Sequence, residues 1–328
     1  MEYRTLGKTG LRVSTVGFGC GAIGGLLVRG SYPEMRATVA RALELGVNYF
    51  DTASLYGNGQ SEVNLGAVLR ELGESSGGRA IVGTKVRLGP DAAGRIGPAV
   101  AASVESSLRR LGREQVDLIQ FHNKLGTQSN PAQDTWSVAD VLEVVAAFAA
   151  LQRAGKVRFW GFTGLGDAAA IRQAIQTDAL YTIQSCYNLL NPSAGQAVAA
   201  DFPYDNYGQT VDTAGAHGLG VIAIRVLAGG ALAGTLDRHP VAAVTPNPLG
   251  SSQEYASDVA HARRFAFLVD EGYAVSLAEA AIRFVISKPT ISTALVGISN
   301  AEQLEAAVAA ARRGSLPAAA LERIASAN

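Results

Sequence analysis

The sequence is poor in cysteine and has no excess of either charge. Cys20 and Cys186 are the only cysteines among 328 residues, so disulfide bonds do not hold this chain together. Its 28 basic and 28 acidic residues cancel, and a neutral chain has no electric field that would gather nucleic acid or an anionic membrane. We therefore expect neither nucleic acid nor a membrane as a partner.

Long hydrophobic runs and a leader segment are also missing. The most apolar stretch, GLGVIAIRVLAGGALAG, is interrupted by Arg225 and rich in glycine, which favours a buried strand and loop over a membrane span. The start of the sequence has no basic segment followed by an apolar core and a cleavage site, so no secretory signal is visible. These features predict a cytoplasmic protein.

The sequence does contain a regular alternation of two kinds of segment. From about residue 15, short β-branched runs alternate with longer segments whose apolar residues recur every three or four positions, which is typical of β/α units. The predicted strands are Thr15–Gly19, Val47–Asp51, Ala80–Lys85, Leu118–His122, Phe159–Thr163, Thr182–Tyr187, Val221–Arg225 and Thr293–Val296. Eight parallel strands with helices between them can close into a barrel.

The helical segments between these strands have one apolar stripe each, as in Leu65, Val68 and Leu69, which indicates helices that cover a sheet. Strands such as GVIAI and TALVG lack polar alternation, which favours a parallel sheet buried on both faces. No proline-rich linker divides the chain. We expect an α/β fold with a single (β/α)₈ TIM barrel domain over residues 1–328, with long loops after strand four (123–137) and strand seven (229–255).

A doubly wound open sheet is the alternative fold. It requires a glycine-rich turn after its first strand, and GFGCGAIGG contains a GxGxxG match from Gly19 to Gly24. A lone match in a glycine-rich chain is weak evidence, because any such chain contains similar spacings. Asp51, the acidic residue after the second strand, is better explained by the motif that follows it.

Four chemically active side chains stand at or just beyond the ends of three consecutive predicted strands. Asp51 ends strand two, Lys85 ends strand three, His122 ends strand four, and Tyr56 follows strand two in FDTASLYGNGQSE. Each one alone has an ordinary explanation as a turn cap, a solvated amine, a core histidine or a rim aromatic residue. Because the carboxyl ends of neighbouring barrel strands share one rim, the four together predict a single site.

These residue types predict proton transfer at an oxygen atom bonded to carbon. A phenol with an ordinary pKa of about 10 exchanges protons poorly at neutral pH unless its anion is stabilised. A lysine ammonium stabilises that anion, an aspartate keeps the ammonium charged, and a histidine can hold a substrate oxygen. No second histidine ends a predicted strand, so we expect no metal site. Proton transfer without a metal indicates hydride chemistry with a bound cofactor.

At these residues the sequence resembles the aldo-keto reductase family, over essentially its whole length. The matching pieces are RTLGKTGLRVSTVGFG, FDTASLYGNGQSE, GTKV, LIQFH, GKVRFWGFTG, IQSCYNLLNP, GVIAIRVLAGGALAG and LVGISNAEQLEAAV. The resemblance implies a barrel that binds NADP(H) or NAD(H) and interconverts a carbonyl and an alcohol. It also implies Tyr56 as general acid or base, Lys85 and Asp51 as the groups that tune it, and His122 as the residue that orients the carbonyl.

The resemblance implies cofactor-binding positions as well. They are Gly19, Thr163, Gly164, Gln184, Tyr187, Arg225, Leu227, Gly229, Leu232, Gly297, Ser299 and Gln303. The chain departs from the family pattern at Gly164, often an asparagine, and at Ile224, often an aromatic residue that stacks on nicotinamide. Many members grip the 2′-phosphate of NADP with a cation after strand eight, whereas GISNAEQLEAA offers none there. Both NAD and NADP therefore stay open.

The implied substrate is a small carbonyl compound or a sugar. KVRFWGFTGLG and ISTALVGIS are similar to the aldose 1-dehydrogenase branch of the family, which oxidises sugars to lactones. Asn123, Lys124 and Trp136 are expected in the substrate pocket because they lie in the loop that follows His122. The family also includes potassium channel β subunits, so a non-catalytic regulatory subunit is a second hypothesis. Members of the aldo-keto reductase family are commonly monomers, so the resemblance makes a monomer plausible.

Overall fold

The chain forms a closed barrel of eight parallel strands. A computed structural model describes residues 1–74, 79–244, 246, 251 and 254–327. The barrel strands are β3 (Val16–Gly19), β4 (Tyr49–Asp51), β5 (Ile81–Val86), β6 (Val116–Phe121), β9 (Val157–Thr163), β10 (Thr182–Cys186), β11 (Gly220–Ile224) and β12 (Ile291–Gly297). They follow one another around the barrel in this order, and β12 pairs with β3 to close it. The predicted TIM barrel is confirmed, and the open sheet is excluded.

Helices surround the barrel. Those in the described ranges are α1 (Leu26–Arg29), α2 (Tyr32–Glu44), α3 (Gln60–Glu71), α4 (Ile96–Leu111), α5 (Val138–Arg153), α6 (Ala168–Gln176), α7 (Thr210–Ala216), α8 (Tyr255–Ala262), α9 (Phe267–Asp270), α10 (Leu277–Ile286), α11 (Ala301–Arg313) and α12 (Ala318–Ala327). The predicted apolar stripes are buried, as with Leu65, Val68 and Leu69 on α3. None of these helices combines the length and the apolar character needed to cross a membrane.

The hydrophobic core has two layers because neighbouring residues of a strand point to opposite faces of the sheet. Val82 and Ile119 belong to the large layer between the strands and the helices. Their neighbours Ile81 and Leu118 belong to a small cluster inside the barrel, together with Leu6, Leu11, Val13, Tyr49 and Ile222. Apolar side chains therefore fill one end of the barrel interior, and the polar side chains of the barrel lie toward the opposite end.

A hairpin that the sequence analysis did not predict closes this apolar end. Its strands, β1 (Tyr3–Thr5) and β2 (Arg12–Ser14), pair antiparallel. Leu6, directly after β1, and Val13 of β2 belong to the small cluster. The guanidinium group of Arg4 donates hydrogen bonds of 2.9 Å to the carbonyl oxygens of Ile286 and Ile291. The hairpin is thereby tied to the last barrel strand, and access to the barrel is left to the opposite, carboxyl face.

Three long connections stand on that face. The predicted loop 123–137 contains the short parallel strands β7 (Lys124–Leu125) and β8 (Thr135–Trp136). The predicted loop 229–255 begins with a 3₁₀ turn, Ala228–Ala233, and positions 245, 247–250 and 252–253 of it lie outside the described residues. A third connection, residues 187–209 between β10 and α7, was not predicted.

Candidate active site

The four predicted catalytic side chains meet at the carboxyl end of the barrel. Asp51 is the last residue of β4, Lys85 lies on β5, and His122 directly follows β6, so that three adjacent strands present them. The Lys85 ammonium group donates to a carboxylate oxygen of Asp51 and, over 2.8 Å, to the carbonyl oxygen of Thr52. It also lies 4.8 Å from the centroid of the Tyr56 ring. The sequence had separated these groups by up to 71 positions, from Asp51 to His122.

The Asp51 carboxylate is the centre of this arrangement. Its second oxygen accepts hydrogen bonds from the Gln184 amide over 2.6 Å and from the Tyr49 hydroxyl over 3.1 Å. Asp51 and Lys85 are each only 1% exposed, and a buried charge pair persists only where further hydrogen bonds satisfy its remaining atoms. Tyr49 and Gln184 supply those bonds, so the carboxylate and the ammonium are fixed in position.

A tight turn directly after Tyr56 presents the phenol. Gly57, Asn58 and Gly59 all have positive φ angles, of 60°, 53° and 89°, a backbone conformation that glycine adopts without steric cost. Behind the turn, the buried Glu62 carboxylate accepts hydrogen bonds from Arg110 over 2.6 Å and from Thr84 over 2.5 Å. Thr84 precedes Lys85 on β5, so these contacts hold the start of α3, and with it the turn, against the strand that carries the lysine.

The charges of the site set the protonation of Tyr56 and Lys85. Burial raises the pKa of Tyr56 and the Asp51 charge adds to this, while the Lys85 charge opposes both, with a net pKa above that of an ordinary phenol. For Lys85, burial is the largest influence and lowers the pKa, but the charges of Asp51 and Tyr56 and the hydrogen bonds to them together outweigh it, so the net pKa is raised. The sequence had suggested that the lysine lowers the phenol pKa, and burial reverses the net result. The resting site holds a neutral phenol beside an ammonium.

His122 completes the rim as a neutral imidazole. Its ring meets the Tyr56 ring edge to face, with centroids 6.4 Å apart. Burial, together with the positive charges of Lys85 and Arg87, lowers the pKa of His122 to about 3. Its Nδ1 atom is buried and has no hydrogen-bond partner in the described structure. A neutral imidazole beside a phenol can hold a substrate oxygen without competing with Tyr56 as an acid.

A cleft of about 800 Å³ opens over these residues. Nine of the predicted cofactor-binding residues line it: Gly19, Thr163, Gln184, Arg225, Leu227, Gly229, Gly297, Ser299 and Gln303. Asp51, Tyr56 and His122 line the same cleft. One continuous cleft is therefore lined by most of the predicted cofactor positions and by three of the four tetrad residues, while Lys85 is buried behind them.

Three predicted cofactor residues are not brought to the cleft wall. Tyr187 is buried and stacks on Phe284 of α10 with ring centroids 5.1 Å apart. Leu232 is fully buried within the 3₁₀ turn after β11. The amide of Gly164 donates over 2.7 Å to the carbonyl oxygen of Gln184, where it extends the pairing of β9 and β10. All three are explained here by packing and by backbone hydrogen bonds.

The residues after β11 form a strap across the cleft. We use this name for residues 237–244, which reach the loop after β3. The Ala243 amide donates to the Ile23 carbonyl oxygen over 3.1 Å, and Arg29 donates to the Val241 carbonyl oxygen over 2.8 Å. Arg238 reinforces the strap with a bond to the Gly229 carbonyl oxygen over 2.8 Å. The strap gives the cleft a roof, which sequence analysis did not foresee.

Arg225, directly after β11, lines the cleft and has an unusual backbone conformation. Its φ is +57°, and an L-residue held there costs roughly 1–3 kcal/mol unless the surroundings impose it. Asn188 stabilises this backbone by donating to the Arg225 carbonyl oxygen over 2.9 Å. The guanidinium group lies near Gly229, whose missing side chain leaves it room. A strained arginine that lines a cleft is a typical functional residue.

The far end of the cleft, where β12 leads into α11, is polar, and neither of these elements contributes a lysine or an arginine to its wall. The Ser299 hydroxyl donates to the Gly24 carbonyl oxygen over 2.7 Å, and the Gln303 side chain accepts from the Ser299 amide over 3.0 Å. Ala306 and Ala307 line the cleft beside them, whereas no lysine or arginine of β12 or α11 does. These small residues and hydrogen-bonding groups fit the adenosine end of a dinucleotide and provide no charged partner for a 2′-phosphate.

The predicted substrate residues separate into two groups. Lys124 lines the cleft. Trp136 is 1% exposed and packs edge to face on Phe121, and Asn123 is fully buried with its amide bonded to Leu88. Trp136 and Asn123 are therefore buried inside the loop and do not line the pocket wall.

Two residues on that wall were missed. Arg87 and Asp134 line the cleft beside Lys124 and form an ion pair. Arg87 follows Lys85 by two positions at the end of β5, a signal that sequence reasoning could have used. Within the described ranges, no three His, Cys, Asp or Glu side chains lie together in a way that would hold a metal ion.

Comparisons with known proteins agree with this geometry. The family model for the aldo/keto reductase family matches residues 15–328. The chain is 29% identical to L-galactose dehydrogenase of Arabidopsis thaliana over 94% of this chain and 88% of that protein. It is 26% identical to a "Probable voltage-gated potassium channel subunit beta" of the same plant, over 93% of this chain and 89% of that protein.

A solved structure is similar over the whole chain. It is the holo form of an aldo-keto reductase from Bacillus halodurans, with a TM-score of 0.72 and 25% sequence identity over 100% of this chain and 96% of that one. The match of the family model covers nearly the whole sequence and includes every residue of the tetrad. The chain therefore belongs to the aldo/keto reductase family and is an NAD(P)-dependent oxidoreductase.

Proposed function

We propose that this enzyme interconverts a carbonyl and an alcohol with Tyr56 as the general acid and base. One observation carries the proposal: the Tyr56 phenol lies on the rim of the cleft between a buried ammonium, Lys85, and a neutral imidazole, His122. A phenol can give its proton to a carbonyl oxygen if a positive charge stabilises the phenolate that remains. Lys85 supplies that charge, and Asp51 keeps it in place.

The cofactor, when bound, supplies or accepts the hydride. In reduction, Tyr56 gives its proton to the substrate oxygen while His122 holds that oxygen by a hydrogen bond. In oxidation, Tyr56 takes the proton back as a phenolate. Because the pKa of Tyr56 is raised, the proton-donating form dominates at neutral pH, and we expect oxidation to become faster as the pH rises.

The cleft residues offer a way to hold the cofactor. Thr163 donates to Gln184 over 3.4 Å, and Gln184 in turn donates to Asp51, so polar groups suited to a carboxamide stand next to the tetrad. Arg225 brings a positive charge to the middle of the cleft, which suits a diphosphate. With Ser299 and Gln303 at the far end and no cation on their segment, we propose NAD as the preferred cofactor over NADP.

A second candidate is the oxidation of an aldose to its lactone. The similarity to a protein named L-galactose dehydrogenase and the charged wall formed by Arg87, Lys124 and Asp134 favour it. In this reaction the hydrogen at C1 leaves as a hydride, and the hydroxyl proton passes to Tyr56. A regulatory subunit is the remaining hypothesis, motivated by the similarity to a channel subunit. Turnover by the free protein would argue against it.

The test is Tyr56→Phe assayed by nicotinamide absorbance with NAD and NADP, against aldoses in oxidation and aldehydes or ketones in reduction. Loss of general acid–base catalysis is expected to lower kcat about 100-fold or more. Cofactor binding, followed by fluorescence titration, is expected to stay unchanged. Tyr32→Phe is the matched control, because it removes an exposed hydroxyl that donates to Glu71 and does not line the cleft. Equal turnover by Tyr56→Phe and wild type would refute the role of Tyr56.

A further inference from the structure

Arg87 and Asp134 form a two-pronged ion pair on the wall of the cleft. The Arg87 Nη2 and Nε atoms donate to separate carboxylate oxygens of Asp134, over 2.6 Å and 3.3 Å. The pair is half-buried, with 42% of the arginine side chain and 24% of the aspartate side chain exposed. The amide of His122 donates to the Val86 carbonyl oxygen over 2.8 Å, which places His122 against the residue that precedes Arg87. The pair therefore borders the proposed reaction centre.

The surrounding loops fix the pair in place. The Asn123 side chain accepts from the Leu88 amide and donates to the Leu88 carbonyl oxygen, each over 2.8 Å. The same amide group donates to Asp134 over 2.5 Å. The backbone of Asp134 has a φ of +57°, and its carbonyl oxygen accepts from the Lys124 amide over 3.2 Å. Asn123 thus ties the loop after β5 to the loop after β6 and positions the carboxylate.

The pair keeps unused hydrogen-bonding capacity that faces the cleft. A carboxylate offers about four acceptor positions, and Asp134 uses three of them for Arg87 and Asn123. A guanidinium group carries five N–H donors, and Arg87 uses one from Nε and one from Nη2. One acceptor and several donors remain side by side. A hydroxyl group, which both donates and accepts, matches this combination better than a carbonyl or a phosphate does.

We propose that the Arg87–Asp134 pair binds a hydroxyl group of the substrate and selects polyhydroxylated, sugar-like compounds over simple aldehydes and over sugar phosphates. This inference rests on the proposed function, because it assigns a specificity residue to the same site. An anionic substrate would compete with the Asp134 carboxylate for Arg87, whereas a neutral sugar hydroxyl can use the free acceptor and the free donors without breaking the ion pair. Lys124, next to the pair on the cleft wall, can donate to a second hydroxyl.

Asp134→Asn tests the proposal because asparagine has the same size and tolerates positive φ, and its one side-chain oxygen can still accept from Asn123 while the ion pair with Arg87 is lost. The assay compares kcat/KM for three substrates: an unmodified aldose, its phosphate ester and an unbranched aldehyde of equal length without hydroxyls. For the aldose, kcat/KM is expected to fall about tenfold or more, mainly through KM, which is the size of one hydrogen bond to a charged group. For the plain aldehyde it is expected to stay the same.

Asp91→Asn is the matched control, since Asp91 forms an ion pair with Arg95 on the outer surface and does not line the cleft. It is expected to change none of the three values. An equal loss on the aldose and the plain aldehyde would give Asp134 a merely structural role and overturn the proposal. An unchanged aldose value with improved use of the phosphate ester would overturn it in favour of an anion site.

Binding of the aldose to the enzyme loaded with cofactor, measured by calorimetry, separates this inference from the proposed function. If wild type turned over none of the substrates, the proposed function would fail, yet a weaker aldose Kd for Asp134→Asn would still support the hydroxyl site. An equal Kd in the two proteins would overturn the hydroxyl site whatever the turnover.

Discussion

Replacing Asp51 with asparagine tests the electrostatic arrangement on which the site depends. Asp51→Asn keeps the volume and an oxygen that can accept from Gln184, but it removes the charge that compensates Lys85. Because both partners are 1% exposed, the ammonium is left buried and unpaired. Breaking a buried pair in this way costs about 3–5 kcal/mol of unfolding free energy. An ordinary domain has about 5–15 kcal/mol, so the variant is expected to fold with reduced stability.

The pH dependence of this loss is specific to the mechanism. In wild type the pKa of Lys85 is raised, so its contribution to stability is present below the unfolded pKa of about 10.4 and is lost as pH rises through the folded value. In Asp51→Asn burial dominates and the pKa of Lys85 falls below its ordinary value. The unfolded variant then binds more protons than the folded one, so the variant gains stability as pH rises. The difference between wild type and variant is therefore largest near neutral pH and smaller toward about pH 10.

Urea unfolding followed by circular dichroism, at several pH values between about 6 and 10, measures both effects. Arg36→Gln is the control, because Arg36 and Glu71 form an ion pair with 47% and 45% of their side chains exposed. Its cost is expected to stay below about 1 kcal/mol at every pH. If Asp51→Asn also cost less than about 1 kcal/mol, or if its cost grew as pH rose, the reasoning would be refuted.

Two further predictions concern His122 and the cofactor. The pKa of His122, lowered to about 3 against about 6.5 in an unfolded chain, makes the native state lose stability as pH falls below 6.5, by at most about 1.4 kcal/mol per pH unit. His122→Gln is expected to remove that slope in urea unfolding between about pH 5 and 7, and an unchanged slope would show that His122 is not its source. Gln303→Arg adds a cation where the β12–α11 segment has none and is expected to raise kcat/KM with NADP relative to NAD about tenfold or more. Gln303→Met is the uncharged control, and an equal ratio in both variants would contradict the proposed position of the 2′-phosphate.

The barrel was predictable because its signals are local and repeated. Eight apolar runs alternate with striped helices, and each predicted strand overlaps an observed barrel strand with ends that differ by at most two residues. The meeting of Asp51, Lys85 and His122 followed from topology alone, since consecutive parallel strands end on one rim. These inferences depend on the spacing of apolar residues and on the order of the strands along the chain, and both can be read from a single sequence.

Where the structure differs from the expectation, the difference concerns which way a loop residue faces. Trp136 and Asn123 follow His122 closely, but the loop folds on itself through β7 and β8 and buries both. Tyr187 directly follows β10, yet it packs on Phe284, which lies 97 positions further along the chain. The Arg87–Asp134 pair joins two loops in the same way. Side-chain direction in a loop depends on distant partners, which periodicity does not reveal.

The hairpin and the β12–β3 pair join the first segments of the chain to the last, so the barrel cannot close until synthesis is nearly complete. The barrel is sealed by β12 and β3, and Arg4 bonds to carbonyl groups of Ile286 and Ile291, which lie 282 and 287 positions away. A chain still emerging from the ribosome therefore has its first strands ready long before their partners exist. One edge of β3 stays unpaired, and the apolar cluster beneath the hairpin stays incomplete, until β12 is synthesised. During synthesis, this protein is most exposed to aggregation at the segments it makes first.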